Sequence, residues 1–144
     1  MPSTVLEPLP VSVRTKLAAL WTSLLLVFAY VDLFSLYRPD VRADLEAGEI
    51  GGFTVGGAFL LATTAYVVVP SLMVFGSVAL RPRVNRIVNL FLAPLYALSI
   101  AVAAIGEWGY YVLGSAVEVA ILAGIARYAW TWPGVSAATF PDSR

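Results

Sequence analysis

The longest uncharged stretch of the chain contains residues 53–80, FTVGGAFLLATTAYVVVPSLMVFGSVAL. The hydrocarbon core of a bilayer is about 30 Å thick, so a helix rising about 1.5 Å per residue needs about 20 apolar residues to cross it. This stretch would be about 42 Å long as a straight helix, and it must therefore tilt, kink or protrude. The sequence predicts a transmembrane helix here.

Three other stretches of about 20 residues, 17–37, 87–106 and 108–126, carry at most one charge each, and they predict three further spans. The four spans are expected at residues 15–37, 53–80, 86–106 and 108–130, with an outer loop at 38–52. The short connections make the second and third spans, and the third and fourth, antiparallel neighbours. We therefore expect an all-α membrane protein, an antiparallel four-transmembrane-helix bundle that forms a single membrane domain over residues 1–144.

The composition supports a membrane location and excludes several classes of protein. Hydrophobic residues make up 60% of the chain, charged residues 12%, and the mean hydropathy is +0.84, which leaves too little polar surface for a soluble enzyme or a disordered chain. Nine basic and nine acidic residues balance, so no nucleic-acid partner is expected. Cysteine and histidine are both absent, and we expect no cofactor and no metal. The lipid bilayer is the implied partner.

The basic residues predict the orientation of the spans, because lysine and arginine accumulate on the cytoplasmic side. Most of them precede the first span, separate the second from the third, or follow the fourth: Arg14, Lys16, Arg81, Arg83, Arg86, Arg127 and Arg144. The opposite side has only Arg38 and Arg42. We expect a multi-pass protein of the cell membrane with both termini cytoplasmic. The four tryptophans lie near span ends, as expected for indoles at the headgroup boundary: Trp21, Trp108, Trp130 and Trp132.

The outer loop has room for a short surface helix. Asp40 follows Pro39 and can cap a helix that runs through about Ala47, before the glycines that follow it. Such a helix could be an ordinary connector or a lid over a cavity that opens to the outer side.

Two prolines lie inside predicted spans. Pro70 and Pro94 have no amide hydrogen and clash with the carbonyls of Tyr66 and Leu90, four residues earlier. The two kinks lie at similar depth, so two loosened carbonyls could face each other. They are either bends that improve packing or the walls of a wet cavity.

Each span carries a polar stripe on one face. Hydrogen-bonding groups are costly to expose to hydrocarbon, so the stripes should turn inward and form a polar seam. The members, span by span, are Trp21, Phe28, Asp32 and Ser35; Thr63, Tyr66, Pro70 and Ser77; Asn85, Asn89, Tyr96 and Ser99; and Tyr111, Ser115 and Glu118. Faces of small residues elsewhere on the spans serve either packing within the bundle or contact with a second copy or another membrane protein.

Two carboxyls on this seam carry the strongest functional signal. An acid at mid-bilayer costs about 2.5 to 3.5 kcal/mol on insertion scales, and Asp32 and Glu118 have no lysine or histidine within the spans to pair with. Arg86 could reach inward, but it starts near the opposite end of the bundle from Asp32. The acids either fasten the bundle through neighbouring hydroxyls and amides, or they bind a ligand or protons.

Three stretches resemble a family of small prokaryotic four-helix integral membrane proteins of unknown function. They are VDLFSLYRP at residues 31–39, PSLMVFGSVAL at 70–80 followed by NRIVN at 85–89, and VEV at 117–119 with YAWTWP at 128–133. The resemblance covers nearly the whole chain and implies no known activity. It implies that polar residues recur at certain positions of that family, and that in this chain those positions are Asp32, Asn85, Arg86, Asn89 and Glu118.

Two functions follow as expectations. The first is a carrier or receptor for a small polar or cationic ligand, or for protons. Its binding residues would be Asp32, Glu118, Asn89, Tyr66 and Tyr96, with structural kinks at Pro70 and Pro94 and polar residues at the inner mouth, Asn85 and Arg86. The alternative is a non-catalytic accessory or structural subunit of a larger membrane complex. An enzyme is not expected, since the sequence has no nucleophile beside a base and no glycine-rich phosphate loop.

Overall fold

The computed structural model describes residues 11–133. This part of the chain forms five α-helices and one β-hairpin: α1 (Val13–Ser35), α2 (Pro39–Glu46), β1 (Glu49–Ile50), β2 (Phe53–Thr54), α3 (Gly57–Ala79), α4 (Pro82–Ala103) and α5 (Gly109–Trp130). Four of the helices, α1, α3, α4 and α5, are long and apolar enough to cross a membrane. The prediction of a mainly helical protein with four candidate membrane helices is confirmed.

Helix α3 begins four residues later than the start of the uncharged window. Phe53 lies in β2 and pairs with Ile50 of β1 in an antiparallel hairpin. Gly51 (φ 55°) and Gly52 (φ 82°) form the turn between the strands, in the left-handed region that other residues rarely adopt. The remaining helix has 23 residues, or about 34 Å, and is therefore close to the hydrocarbon thickness.

The other helix boundaries follow local signals. At the start of α1 the Ser12 hydroxyl accepts a hydrogen bond from the Thr15 amide at 3.2 Å. Helix α4 begins at Pro82, four residues before the predicted start, because proline is tolerated in the first turn, where no intrahelical amide bond is lost. Helix α2 confirms the expected surface helix, but its first residue is Pro39 and its N-cap is Arg38. Asp40 therefore does not cap it.

The long helices pack side by side, α1 against α3 and α5, and α4 against α5. At one end the Arg14 guanidinium donates to the Val78 carbonyl at 3.0 Å and that of Arg86 to the Trp130 carbonyl at 3.2 Å. We call this the basic end. At the other end, which carries α2 and the hairpin, the hydroxyls of Ser35 and Tyr110 are 2.8 Å apart. We call this the hairpin end.

Burial is uneven along the helices. All the buried residues of α1 lie in its first half and all those of α3 in its second half, which are the halves nearest the basic end. They pack with residues of α4 and α5 into a core that contains Leu17, Trp21, Leu24, Met73, Ala93, Tyr96, Ile100, Leu122 and Ile125. The halves of α1 and α3 nearest the hairpin end contribute no buried residue. The halves of α1 and α3 nearest the hairpin end are thus the more open, although α4 and α5 keep buried residues there, among them Ile100, Ser115 and Glu118.

Candidate functional site

A network of buried hydrogen bonds joins three helices near the basic end. The Asn89 side-chain amide donates to the backbone carbonyl of Asn85 at 2.8 Å and to its Oδ1 at 2.6 Å. Asn85 in turn donates to the Ser77 carbonyl on α3 at 2.6 Å, and Trp21 of α1 donates through Nε1 to Asn89 Oδ1 at 2.7 Å. All four residues are fully buried. The polar stripe of α4 turns inward as predicted, and it fastens α1, α3 and α4 together.

Trp21 lies in the core, as its place on the inward stripe of the first span predicts, and its indole faces the other helices rather than the surroundings. Its side chain is 0% exposed and its ring meets Tyr96 edge-on, with 6.2 Å between the ring centroids. A buried indole N–H requires an acceptor, and Asn89 supplies it. Trp108 and Trp130 are exposed, as a boundary position requires.

The carbonyl that Pro70 leaves without an amide partner is bonded from α4. The Tyr96 hydroxyl donates to the Tyr66 carbonyl at 2.7 Å. The Tyr66 carbonyl therefore faces the Tyr96 hydroxyl. The positions of the two prolines in the sequence suggest a second loosened carbonyl opposite it instead. The two prolines also differ in setting, since Pro70 is buried and Pro94 is exposed.

Replacing Pro70 with alanine is expected to straighten α3 and to change the free energy of unfolding by less than about 1.5 kcal/mol. The new amide hydrogen can bond the Tyr66 carbonyl, which offsets the loss of the bond from the Tyr96 hydroxyl. Electron spin resonance distances between labels on cysteines introduced at Ala58 and Val78 should lengthen. Pro94→Ala, which changes α4, is the control and should leave this distance unchanged. A large stability loss with an unchanged distance would mean that Pro70 acts through packing alone.

Tyr66 lies at the boundary between the packed and the open halves. Its ring centroid is 4.7 Å from that of Tyr96 and 6.1 Å from that of Phe28, and its hydroxyl is 2.7 Å from Ser99 Oγ. The side chain remains 39% exposed. It forms the inner end of an open groove of about 520 Å³, whose other lining residues are Phe53, Thr54, Phe59, Ala62 and Thr63.

Glu118 lies near the middle of α5 and is 4% exposed. Its carboxylate makes no hydrogen bond to any residue between 11 and 133. Among residues 11–133, Ser77 Oγ is the only fully buried side-chain polar atom that lacks a hydrogen-bond partner. The carboxylate oxygens of Glu118 also lack a partner, and they are therefore not fully buried. The predicted inward position of Glu118 agrees with this burial.

Asp32 belongs to the open half of α1, three residues before the helix ends. Its neighbour Val31 packs against Gly114, one turn before Glu118 on α5, so the packing of α1 against α5 brings the segments that carry the two acids together. Tyr66 of α3 lies on this side as well, since its ring stacks on Phe28, one turn before Asp32. Sequence reasoning placed Asp32 and Glu118 on the seam without showing that α1 and α5 meet there.

Arg86 does not reach these acids. Its guanidinium is bonded to the Trp130 carbonyl at the end of α5, as that of Arg14 is to the Val78 carbonyl near the end of α3. Cations are favourable at helix C-termini, where carbonyls lack intrahelical partners. Of the two residues predicted at the inner mouth, Asn85 belongs to the buried network and Arg86 to the surface of the basic end.

An ionic cluster at the hairpin end was not anticipated from the sequence. Arg38 contacts Glu107 and forms an ion pair with Asp40 at 2.6 Å, and its guanidinium lies 4.7 Å from the Trp108 ring. The hydrogen bonds that Arg38 donates to Asp40 and Glu107 raise the pKa of Arg38 further above its ordinary value, and accepting from Arg38 lowers the pKa of Asp40. The cluster joins the end of α1 to the start of α2 and to the loop before α5.

The apolar helices and the polar residues between them define a small multi-pass membrane protein. The chain belongs to a family of unknown function, DUF6326, which matches residues 11–139. The predicted membership in a family of unknown function is confirmed, and the match spans every predicted site residue. No curated protein and no solved structure matches the chain.

Proposed function

We propose that this protein is a non-enzymatic membrane protein that binds a small cationic ligand or protons at Asp32 and Glu118. The observation that carries the proposal is Glu118, a buried carboxyl at mid-helix that has no hydrogen-bond partner within residues 11–133, on a helix that packs against the α1 segment carrying Asp32. A cation or proton at this place would neutralise charge that the chain itself leaves uncompensated.

The chemistry favours binding because ionised carboxylates are poorly solvated away from water. Two neighbouring carboxylates also oppose each other's ionisation. A bound cation or a shared proton relieves both effects. A purely structural role would be better served by hydrogen bonds to the carboxylates, such as those that join Asn85 and Asn89.

We propose that the ligand enters from the hairpin end. The Trp21, Asn85 and Asn89 network fills the space near the basic end, whereas the opposite halves of α1 and α3 are open. In the proposed arrangement the four helices form an antiparallel bundle, which is supported by contacts between the start of one helix and the end of the next. The excess of basic residues at the other end favours a hairpin end on the outer face and cytoplasmic termini.

The alternative is an accessory subunit that docks a membrane partner or a second copy. It is favoured by a second groove of about 380 Å³ between α1 and α5, which is almost wholly apolar. Its lining includes Leu26, Tyr30, Phe34 and Leu113. This role needs no exchangeable ligand at Glu118, and the two proposals therefore differ in what the acid does.

Single cysteines test the proposed entrance, since the sequence contains none of its own. We expect Asp32→Cys to react with a membrane-impermeant thiol reagent added to intact cells, because its position is open to the hairpin end. Leu24→Cys is the matched control, two turns along the same helix and buried, and it should stay unreactive. Thiol reagents require a thiolate, which needs contact with water.

Two loop positions test the orientation in the same assay. Ala47→Cys at the end of α2 should react from outside, and Arg83→Cys at the basic end should react only after the cells are opened. Labelling of Arg83→Cys from outside with protection of Ala47→Cys would invert the proposed topology. An unreactive Asp32→Cys beside a reactive Ala47→Cys would contradict an open entrance.

A further inference from the structure

We propose that the ligand of this site is an organic cation with an apolar or aromatic body, and not a metal ion. The proposal rests on the proposed function, because it assigns the chemical class of what the acids bind. It is carried by the aromatic rings that lie beside them.

The rings and the acids occupy the same part of the molecule. Phe28 precedes Asp32 by one helical turn, so the ring and the carboxyl share a face of α1. The Tyr66 ring stacks on Phe28, with 6.1 Å between the ring centroids. The two rings therefore lie on the face of α1 that carries Asp32.

The groove that leads to Tyr66 supplies space for the body of such a ligand. Its rings include Phe53 and Phe59, whose centroids are 6.3 Å apart, and its volume of about 520 Å³ is within the range of small-molecule sites. Phe53 belongs to the hairpin, so the groove runs from the hairpin end to Tyr66. The charged group of a ligand with its body in this groove would point towards the acids.

A metal ion fits this set of residues poorly. Hard cations such as Ca²⁺ need about six to eight oxygen ligands, and Mg²⁺ sheds its waters reluctantly. Within residues 11–133 no three acidic, histidine or cysteine side chains are grouped closely enough to hold a metal. An ammonium or phosphonium group is weakly hydrated when its substituents are apolar, and it is attracted by ring faces as well as by carboxylates.

Tetraphenylphosphonium is a suitable probe, since it combines a single charge with an apolar body. Radiolabelled probe should bind saturably to the full chain in lipid nanodiscs, after subtraction of its partition into empty nanodiscs, and excess Ca²⁺ or Mg²⁺ should not displace it. Tyr66→Leu should weaken binding by about tenfold, because it removes one ring beside the charge. Tyr66→Phe keeps the ring and should bind within about twofold of the original chain.

Phe75→Leu is the matched control, as it removes an exposed ring of α3 that does not line the groove. Its affinity should be unchanged. An equal loss in Phe75→Leu and Tyr66→Leu would overturn the proposal, as would displacement of the probe by the divalent ions. If the probe does not bind but a carboxyl infrared band that Glu118→Gln removes still changes reversibly with pH, this inference fails and the proposed function stands. If both results are negative, both fail.

Discussion

Glu118→Gln is expected to remove one titrating proton from the protein and to abolish any pH dependence of ligand binding, with little effect on folding. Glutamine keeps the shape and polarity of the side chain but cannot ionise. The carboxylate makes no hydrogen bond within residues 11–133, so the substitution breaks none there. Potentiometric titration of the protein in nanodiscs, with unfolding in SDS as the measure of stability, tests both halves of the prediction.

Two further variants are needed to interpret this result. Glu46→Gln makes the same chemical change on the exposed face of α2, and it should leave ligand binding unchanged at every pH. Glu118→Ala should lower the free energy of unfolding by about 1 to 3 kcal/mol, because it leaves a cavity as well as removing the acid. If the Gln variant matches the original chain at every pH, Glu118 is a structural group and the accessory-subunit proposal gains.

Asn89→Ala is expected to have the largest effect on stability. It leaves the Trp21 indole N–H without an acceptor and the Asn85 Oδ1 without a donor, and both side chains are fully buried. Each orphaned group costs about 1 to 3 kcal/mol. Separated helices in a membrane find other partners, which reduces such costs, so we expect a loss of about 2 to 4 kcal/mol.

Unfolding in SDS, followed by tryptophan fluorescence, measures this loss. Trp21→Phe keeps most of the ring and leaves only the Asn89 acceptor unmatched, so its effect should be smaller, about 1 to 2 kcal/mol. Ser71→Ala is the control, since that exposed hydroxyl bonds only to a carbonyl of its own helix. A loss below about 1 kcal/mol for Asn89→Ala would mean that the network does not hold the helices together.

The spans and their inward faces were predictable because both follow from simple periodicities. A run of about 20 apolar residues identifies a membrane helix from composition alone. Spacings of four and seven place Asn85, Asn89 and Tyr96 on one face of α4, and the hydrogen bonds confirm that this face is turned inward. Hydropathy could not reveal the hairpin, because Phe53 and Thr54 are as uncharged as the helix that follows.

The contacts between distant residues were not predictable. Trp21 and Asn89 are 68 positions apart, and Arg38 and Glu107 are 69 apart. The preference of indoles for headgroups predicted Trp21 at the membrane boundary. In the structure its bond to Asn89 of α4 holds it in the core. The acid pair was predicted residue by residue, but only the packing of α1 against α5 brings Asp32 towards Glu118.

Infrared difference spectroscopy of the protonated-carboxyl band tests the central claim most directly, since it observes Glu118 itself without requiring a known ligand. We predict a band that changes reversibly with the pH of the medium and is absent from Glu118→Gln, because the proposed entrance at the hairpin end would admit water. A spectrum without a pH-sensitive carboxyl band, or one that Glu118→Gln leaves unchanged, would contradict an accessible binding site at this acid.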